Sequence, residues 1–366
     1  MLCFGKGLSI WDEFVHRKPS PDHDGTTGDV ACDSYHKYRE DVALLKYLGA
    51  GVYRFSLSWS RILPSGRVDY INPAGLKYYN DLIDILIENG NLEITQAPGF
   101  RNLEEAKWCV HNSLRSHAKA YRLYDQVFRP HQHGKVGMAV FSQWYEPRDP
   151  ANQMHVKIAE FTVQITWGVL ASPIFFGKYP AEFDEFVGLV SKTLGSVSTP
   201  LKFTLAEAAE LRGSWDFCAM THYTTSLVEP TAKNNASAGI SAPLGIILGH
   251  DPAWPSGAAG TVGWGFYVVP WGFRKMLNWI KRRYGNPEIY VLENGYQGKP
   301  AEGLEDHRQV EYHRSYINEM LKAVRIDGVN VQVYAAWTLM DDFEWVCMFE
   351  QFSGIRDLLK ALVTPS

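Results

Sequence analysis

The spacing of apolar residues along the chain switches repeatedly between two periods. From Asp33 onward, Tyr35, Tyr38, Val42 and Leu45 recur at helical spacing, and the pattern stops at Gly49. Over 52–57 the period drops to two, with Val52, Arg54 and Ser56 on one face and Tyr53, Phe55 and Leu57 on the other, which predicts a strand. Pro73 fits the first turn of a second helix, with Leu76, Tyr79, Ile83 and Leu86 as its predicted buried stripe and Gly90 as its stop. A helix bearing Leu114, Ala118, Tyr121, Tyr124 and Phe128 precedes a strand over 135–140, and another helix is expected over 154–167. The strand over 216–223 places Ala219, Thr221 and Tyr223 on one face. Residues 229–262, rich in Ala, Ser, Gly and Pro, read as a long surface loop. A helix over 272–284, a strand over 289–293, a helix with Val310, Ile317, Leu321 and Val324, and a strand over 332–337 complete the pattern.

Strand and helix alternate throughout, which predicts the α/β class with parallel strands, of the TIM (β/α)8 barrel type. With no internal repeat and no linker, residues 1–366 read as a single barrel domain. The expected barrel is incomplete. A closed one needs eight strands, and about five are firm. Between Gly90 and His111 only Leu92, Glu93, Ile94 and Thr95 offer a short strand-like piece.

Composition narrows the function classes. The chain is 46% hydrophobic and 21% charged, the profile of a globular protein. A formal net charge of −4 without a long basic run argues against nucleic acid or an anionic membrane as partner. The N-terminus lacks the apolar core of a secretion signal. The apolar stretch over 161–176 is broken by Gln164, Gly168 and Pro173 and falls short of the ~20 residues that span a bilayer. Cys3, Cys32, Cys109, Cys218 and Cys347 are scattered without metal-ligand spacing, so no metal is expected and reduced thiols in a cytoplasmic protein are. An aromatic content of 13%, with 12 Trp, permits a carbohydrate cleft.

The sharpest local feature is Tyr290-Val291-Leu292-Glu293-Asn294-Gly295, a carboxylate at the last position of an apolar strand, just before a turn. In a parallel β/α barrel the C-terminal ends of the strands display the chemistry. Other segments join it: Gly5-Lys6-Gly7-Leu8-Ser9-Ile10-Trp11-Asp12, Thr27-Gly28-Asp29-Val30-Ala31-Cys32-Asp33, and the run from Tyr53 through Arg54, Trp59 and Arg61 to Pro64. Glu146-Pro147-Arg148-Asp149-Pro150, Thr221-His222-Tyr223-Thr224 and the stretch from Trp337 to Trp345 complete the set. Together, and in family order over nearly the whole chain, they resemble glycoside hydrolase family 1, the β-glucosidase-like retaining enzymes, especially its animal members.

The resemblance implies O-glycosyl hydrolysis of a small β-glucoside or β-galactoside, without a cofactor. Glu293 matches the nucleophile. A retaining glycosidase needs an ionised carboxylate beside the anomeric carbon, and burial disfavours that charge unless a cation or donors accompany it. Arg54, inward-facing by its alternation, and Tyr223, matching the tyrosine that bonds the nucleophile, fill these roles. Trp337, Glu344 and Trp345 match the segment that grips the sugar, where a carboxylate accepts from hydroxyls and indole covers the ring's apolar face.

The chain also departs from the family. The Asn-Glu-Pro motif of the general acid/base and the upstream His-Trp-Asp segment do not occur. Its Glu-Pro pairs are Glu146-Pro147 and Glu229-Pro230, neither at that place in family order. The first barrel strand and the region of the third and fourth are expected to be missing or reduced, and Thr221 replaces the usual asparagine. The resemblance therefore implies an enzyme with impaired activity, or a non-catalytic relative that binds a glycan or protein. Glu93, Glu104 and Glu105 are the candidate replacements for the missing acid/base, but nothing in their spacing promises the ~5–5.5 Å separation of a retaining pair, so they read as solvated carboxylates.

Overall fold

The computed structural model describes residues 5–16, 18, 27–87, 91–93, 103–193, 199–231, 244–256, 267–296 and 306–339. Its first helix, α1 (Ile10–Val15), starts at a capping box in which Ser9 and Asp12 satisfy each other's backbone amides. There follow α2 (Ser34–Tyr47), β1 (Val52–Arg54), the single turn α3 (Trp59–Ile62), α4 (Pro73–Ile87) and β2 (Asn91–Glu93). Helix α5 (Leu103–Leu123) continues through a wide turn at Tyr124–Phe128 into α6 (Arg129–Gln132), and β3 (Gly137–Pro147) comes next. In the same way α7 (Gln153–Val163) passes through Gln164–Gly168 into α8 (Val169–Phe176). The chain then forms α9 (Ala181–Thr193), α10 (Leu205–Leu211), β4 (Phe217–Pro230), β5 (Ile246–Gly249), α11 (Pro270–Tyr284), β6 (Ile289–Glu293), α12 (His307–Arg325) and β7 (Val331–Tyr334).

Strands β3, β4, β6 and β7 pair side by side in parallel, and β5 runs antiparallel along the far end of β4. Strands β1 and β2 form a separate parallel pair. This is an incomplete α/β barrel: among the described residues, six strands run parallel where a closed barrel has eight.

The period of two sorts the strand residues into two layers. Val140, Cys218, Met220, Ile289 and Val291 face outward and pack on the helices, against Trp167, Phe273, Leu277, Ile280 and Tyr316. Ala139, Phe217, Ala219, Tyr290 and Leu292 form a second cluster on the inner face. Phe273 and Leu277 are fully buried, each worth roughly 1.5–3 kcal/mol of transfer free energy. The apolar stretch over 161–176, expected to be too short for a bilayer, lies within a continuous helix, Gln153–Phe176, that is long and apolar enough to cross one. Here it is a core helix, placing Val163, Trp167 and Ala171 in the main cluster.

The five firm strands all form, and the short piece after Gly90 begins a sixth, β2. Tyr53 and Phe55 pack against Val42 and Leu82, as their alternation requires. Three details differ from the sequence reading. The expected loop over 229–262 contains β5, which extends β4 by backbone pairing that composition does not reveal. On α4 Tyr79 and Leu82 are buried, while Leu76 is 43% exposed; the side chain of Leu86 lies outside the described residues. On α12 Val310 and Leu321 are exposed, and Tyr312, Tyr316 and Ala323 are buried. A helix with apolar residues on two overlapping stripes turns toward the face whose polar atoms find partners, and the two tyrosines find them.

Candidate active site

Strand β6 presents Glu293 through a defect in its pairing. Tyr290 and Leu292 face the barrel interior, and Ile289 and Val291 face the helices. Plain alternation would send Glu293 outward with the second pair. Instead Met220 stands opposite Val291 and Thr221 opposite Glu293, leaving Leu292 as an extra residue on β6. That bulge turns Glu293 inward as well.

There its carboxylate meets two partners. Arg54, from the end of β1, donates from Nη1 to Oε1 of Glu293. The Tyr223 hydroxyl donates to Oε2 at 2.5 Å. The pair is well shielded, with side-chain exposures of 11% for Arg54 and 16% for Glu293. Tyr223 and Arg54 lie 70 and 239 positions upstream of Glu293, and the fold joins both to its one carboxylate. The Arg54 guanidinium also sits 5.6 Å from the centre of the Trp337 ring.

Trp337 is held by its backbone. Its N–H donates to the Asn294 carbonyl at 2.9 Å. Gly295 makes this approach possible, because a Cβ there would lie 2.1 Å from the Trp337 carbonyl oxygen. A cleft of about 800 Å³ opens beside these groups, with Arg54, Leu292, Tyr334 and Trp337 in its wall. Glu293 and Tyr223 are not part of that wall; Arg54 and Trp337 connect them to it. A second cleft, about 590 Å³, lies between Trp144 and Trp271 on the helical side.

The structure therefore brings together Glu293, Arg54, Tyr223 and Trp337. Glu344 and Trp345 lie outside the described residues. In the register of β1 and β2, Glu93 stands opposite Arg54. The glutamates of both Glu-Pro pairs are engaged in ion pairs: Glu146 with Lys275 at 2.7 Å and Glu229 with Arg148 at 2.7 Å. His131 and His133 are exposed. Among the described residues no group of His, Cys, Asp or Glu is arranged to hold a metal ion.

Sequence reading missed a layer behind the carboxylate. Asn294 looks like turn punctuation, yet it is fully buried, and its Nδ2 donates to the His222 carbonyl at 2.7 Å and to the Tyr312 hydroxyl at 3.0 Å. Tyr312 and Tyr316 both donate to the Tyr223 carbonyl, at 2.8 and 3.0 Å. Tyr334 donates to Asn294 Oδ1 at 2.7 Å. Burial pushes the phenols of Tyr312, Tyr316 and Tyr334 well above the usual tyrosine range, so they remain donors. The signal that could have found them is the spacing of four between Tyr312 and Tyr316, which stacks both rings on one helix face.

Known proteins resemble this chain in both sequence and fold. The model of glycosyl hydrolase family 1 matches residues 3–95 and 90–356. Human cytosolic beta-glucosidase is 34% identical over 406 residues, covering 93% of this chain and 85% of that protein. Lactase/phlorizin hydrolase of Rattus norvegicus is 36% identical over 418 residues, 96% of this chain. The chain spans about a fifth, 21%, of that relative's length. Among solved structures, aphid myrosinase superposes with a TM-score of 0.86 at 31% identity, covering 96% of this chain and 88% of that one. On these grounds, the chain belongs to glycosyl hydrolase family 1.

Proposed function

We propose that this single barrel domain, residues 1–366, acts on a small β-glucoside or β-galactoside through a retaining mechanism, with Glu293 as nucleophile and without a general acid. The observation that carries the reading is the Glu293 carboxylate bonded at once to Arg54 and Tyr223 beside the Trp337 cleft. Attack by a Glu293 oxygen on the anomeric carbon forms a glycosyl ester as the bond to the leaving group breaks. Arg54 supplies the counter-charge and Tyr223 a donor. Trp337, Glu344 and Trp345 are the residues assigned to the sugar. A cytosolic setting accords with the cytosolic beta-glucosidases of human and guinea pig.

Two observations support the missing acid. The family model matches in two segments that meet at residues 90–95, the place where the acid/base motif is lacking. Glu146 and Glu229, which precede the prolines, are each committed to a basic partner. Proton donation to the leaving group is typically worth ~10²–10⁴-fold in rate, so alkyl glycosides should turn over poorly and activated ones far better.

A dinitrophenyl 2-deoxy-2-fluoroglucoside tests the proposal, since dinitrophenolate leaves without a proton. Mass spectrometry should place the label on Glu293. Azide, which needs no general base to attack the ester, should accelerate turnover of dinitrophenyl glucoside and yield the β-glycosyl azide. Glycan binding without labelling would establish the alternative, a non-catalytic pseudoenzyme that binds a glycan or protein partner.

A further inference from the structure

Strand β4 leaves its ladders where it carries Tyr223. Its pairing with β6 ends at Thr221 opposite Glu293. On the other side His222 pairs with Ser142 and Thr225 with Trp144, so Tyr223 and Thr224 stand against Gln143 alone. Backbone carbonyls released by such a bulge need other donors.

Side chains supply them. The His222 carbonyl accepts from Asn294, and the Tyr223 carbonyl accepts from both Tyr312 and Tyr316. Each donor is fixed in turn. Asn294 also donates to Tyr312, and Tyr316 accepts from the Val269 amide at 3.1 Å. Tyr334 gives its one proton to Asn294 Oδ1, so its 3.0 Å contact with His313 Nδ1 runs from an Nδ1–H. Thr224, the second bulge residue, accepts from the Tyr267 amide and donates to its carbonyl.

The convergence is specific. Two tyrosines one helical turn apart close on a single carbonyl, that of the residue whose phenol touches Glu293. Asn294 is the residue next to Glu293. Both ends of the Tyr223–Glu293 hydrogen bond are therefore tied to one buried network.

We infer that Asn294, Tyr312 and Tyr316 are positioning residues, which fix the β4 bulge and so set the Tyr223 phenol on the Glu293 carboxylate. The catalytic consequence rests on the function proposed above; the bracket itself does not.

The test separates the two. With fluorotyrosine incorporated throughout, the Tyr223 ¹⁹F resonance is identified by its loss in Tyr223→Phe. Tyr312→Phe and Tyr316→Phe should shift or broaden that resonance. Tyr284→Phe, which removes a buried hydroxyl paired with Ser172 at 3.1 Å elsewhere in the fold, should leave it in place. Should the first two variants fail to fold, Tyr334→Phe removes only the outer link. A Tyr223 signal that moves no more than in the Tyr284 control overturns the inference.

The catalytic arm uses the dinitrophenyl fluoroglucoside. Tyr312→Phe should slow the labelling step ~5–10-fold, the weight of about one hydrogen bond, with the binding constant unchanged. That loss should vanish in a Tyr223→Phe background. An equal loss in both backgrounds means a general structural role and overturns the inference. If the unaltered protein is not labelled at all, the proposed function fails while the fluorine spectra still decide the bracket.

Discussion

Replacing Arg54 by Met removes the cation from a carboxylate that has little access to water. The two side chains are 11% and 16% exposed, so the pair behaves as a buried one. Breaking such a pair by deleting one partner typically costs ~3–5 kcal/mol, because the remaining charge is left without compensation. Tyr223 still donates to one oxygen of Glu293, which puts the expected cost near the lower end, about 3 kcal/mol. With a denaturant dependence of ~3 kcal/mol per molar urea, the unfolding midpoint should fall by about 1 M. Glu293→Gln removes the stranded charge, so the double variant should recover most of the loss. The coupling from the four proteins of the cycle should be about 2–3 kcal/mol. Urea unfolding followed by tryptophan fluorescence at pH 7 measures it. A coupling at or below ~1 kcal/mol, the size found for solvent-exposed pairs, would refute the argument that burial gives this contact its strength.

Four further outcomes are expected. Tyr223→Phe should slow fluoroglucoside labelling about tenfold, since it removes one charge-assisted hydrogen bond from the Glu293 carboxylate; stopped-time mass spectrometry reads the rate. Phe273→Ala should destabilise the fold by ~3–5 kcal/mol in urea titrations, because Phe273 is fully buried in the main cluster. Leu205→Ala, at a side chain 93% exposed, should change stability by less than ~0.5 kcal/mol. Asp327 is held down to about 2 by hydrogen bonds from Arg274 and Asn278; its stabilising effect is present above the usual carboxylate range and lost as pH falls toward 2, so melting curves of Asp327→Asn and the unaltered protein should differ at pH 7 and converge in acid.

The sequence exposed the architecture wherever one period ran long enough to stand out. Alternation over 52–57 placed Arg54 inward and Tyr53 and Phe55 on the helices, which the Val42–Leu82 cluster and the ion pair with Glu293 bear out. The same rule fails at Glu293, where strict alternation points outward and only the extra residue at Leu292 reverses it. A bulge is a property of two strands in register, and one strand read alone does not contain it. Strand β5 escaped notice for the same reason, since its four residues are defined by pairing with Leu227–Pro230 rather than by their own pattern. The tyrosine bracket stayed hidden because a phenol counts as apolar on a helical stripe, while its hydroxyl decides which stripe is buried. The candidate nucleophile and its two partners were legible because short motifs carried them; what holds those partners in place was not.

The division of the strands into a two-stranded pair and a larger sheet has a consequence for how the protein ages under stress. The guanidinium arrives on the small pair, from β1, and the carboxylate and phenol arrive on the large sheet. The small pair rests on its own modest apolar cluster around Val42 and Leu82, apart from the main one. Gentle warming that loosens this N-terminal portion will part the charges before the bulk of the molecule melts. Reactivity at Glu293 should accordingly fade several degrees below the loss of far-ultraviolet ellipticity, making the carboxylate a sensor of how firmly the two portions are seated.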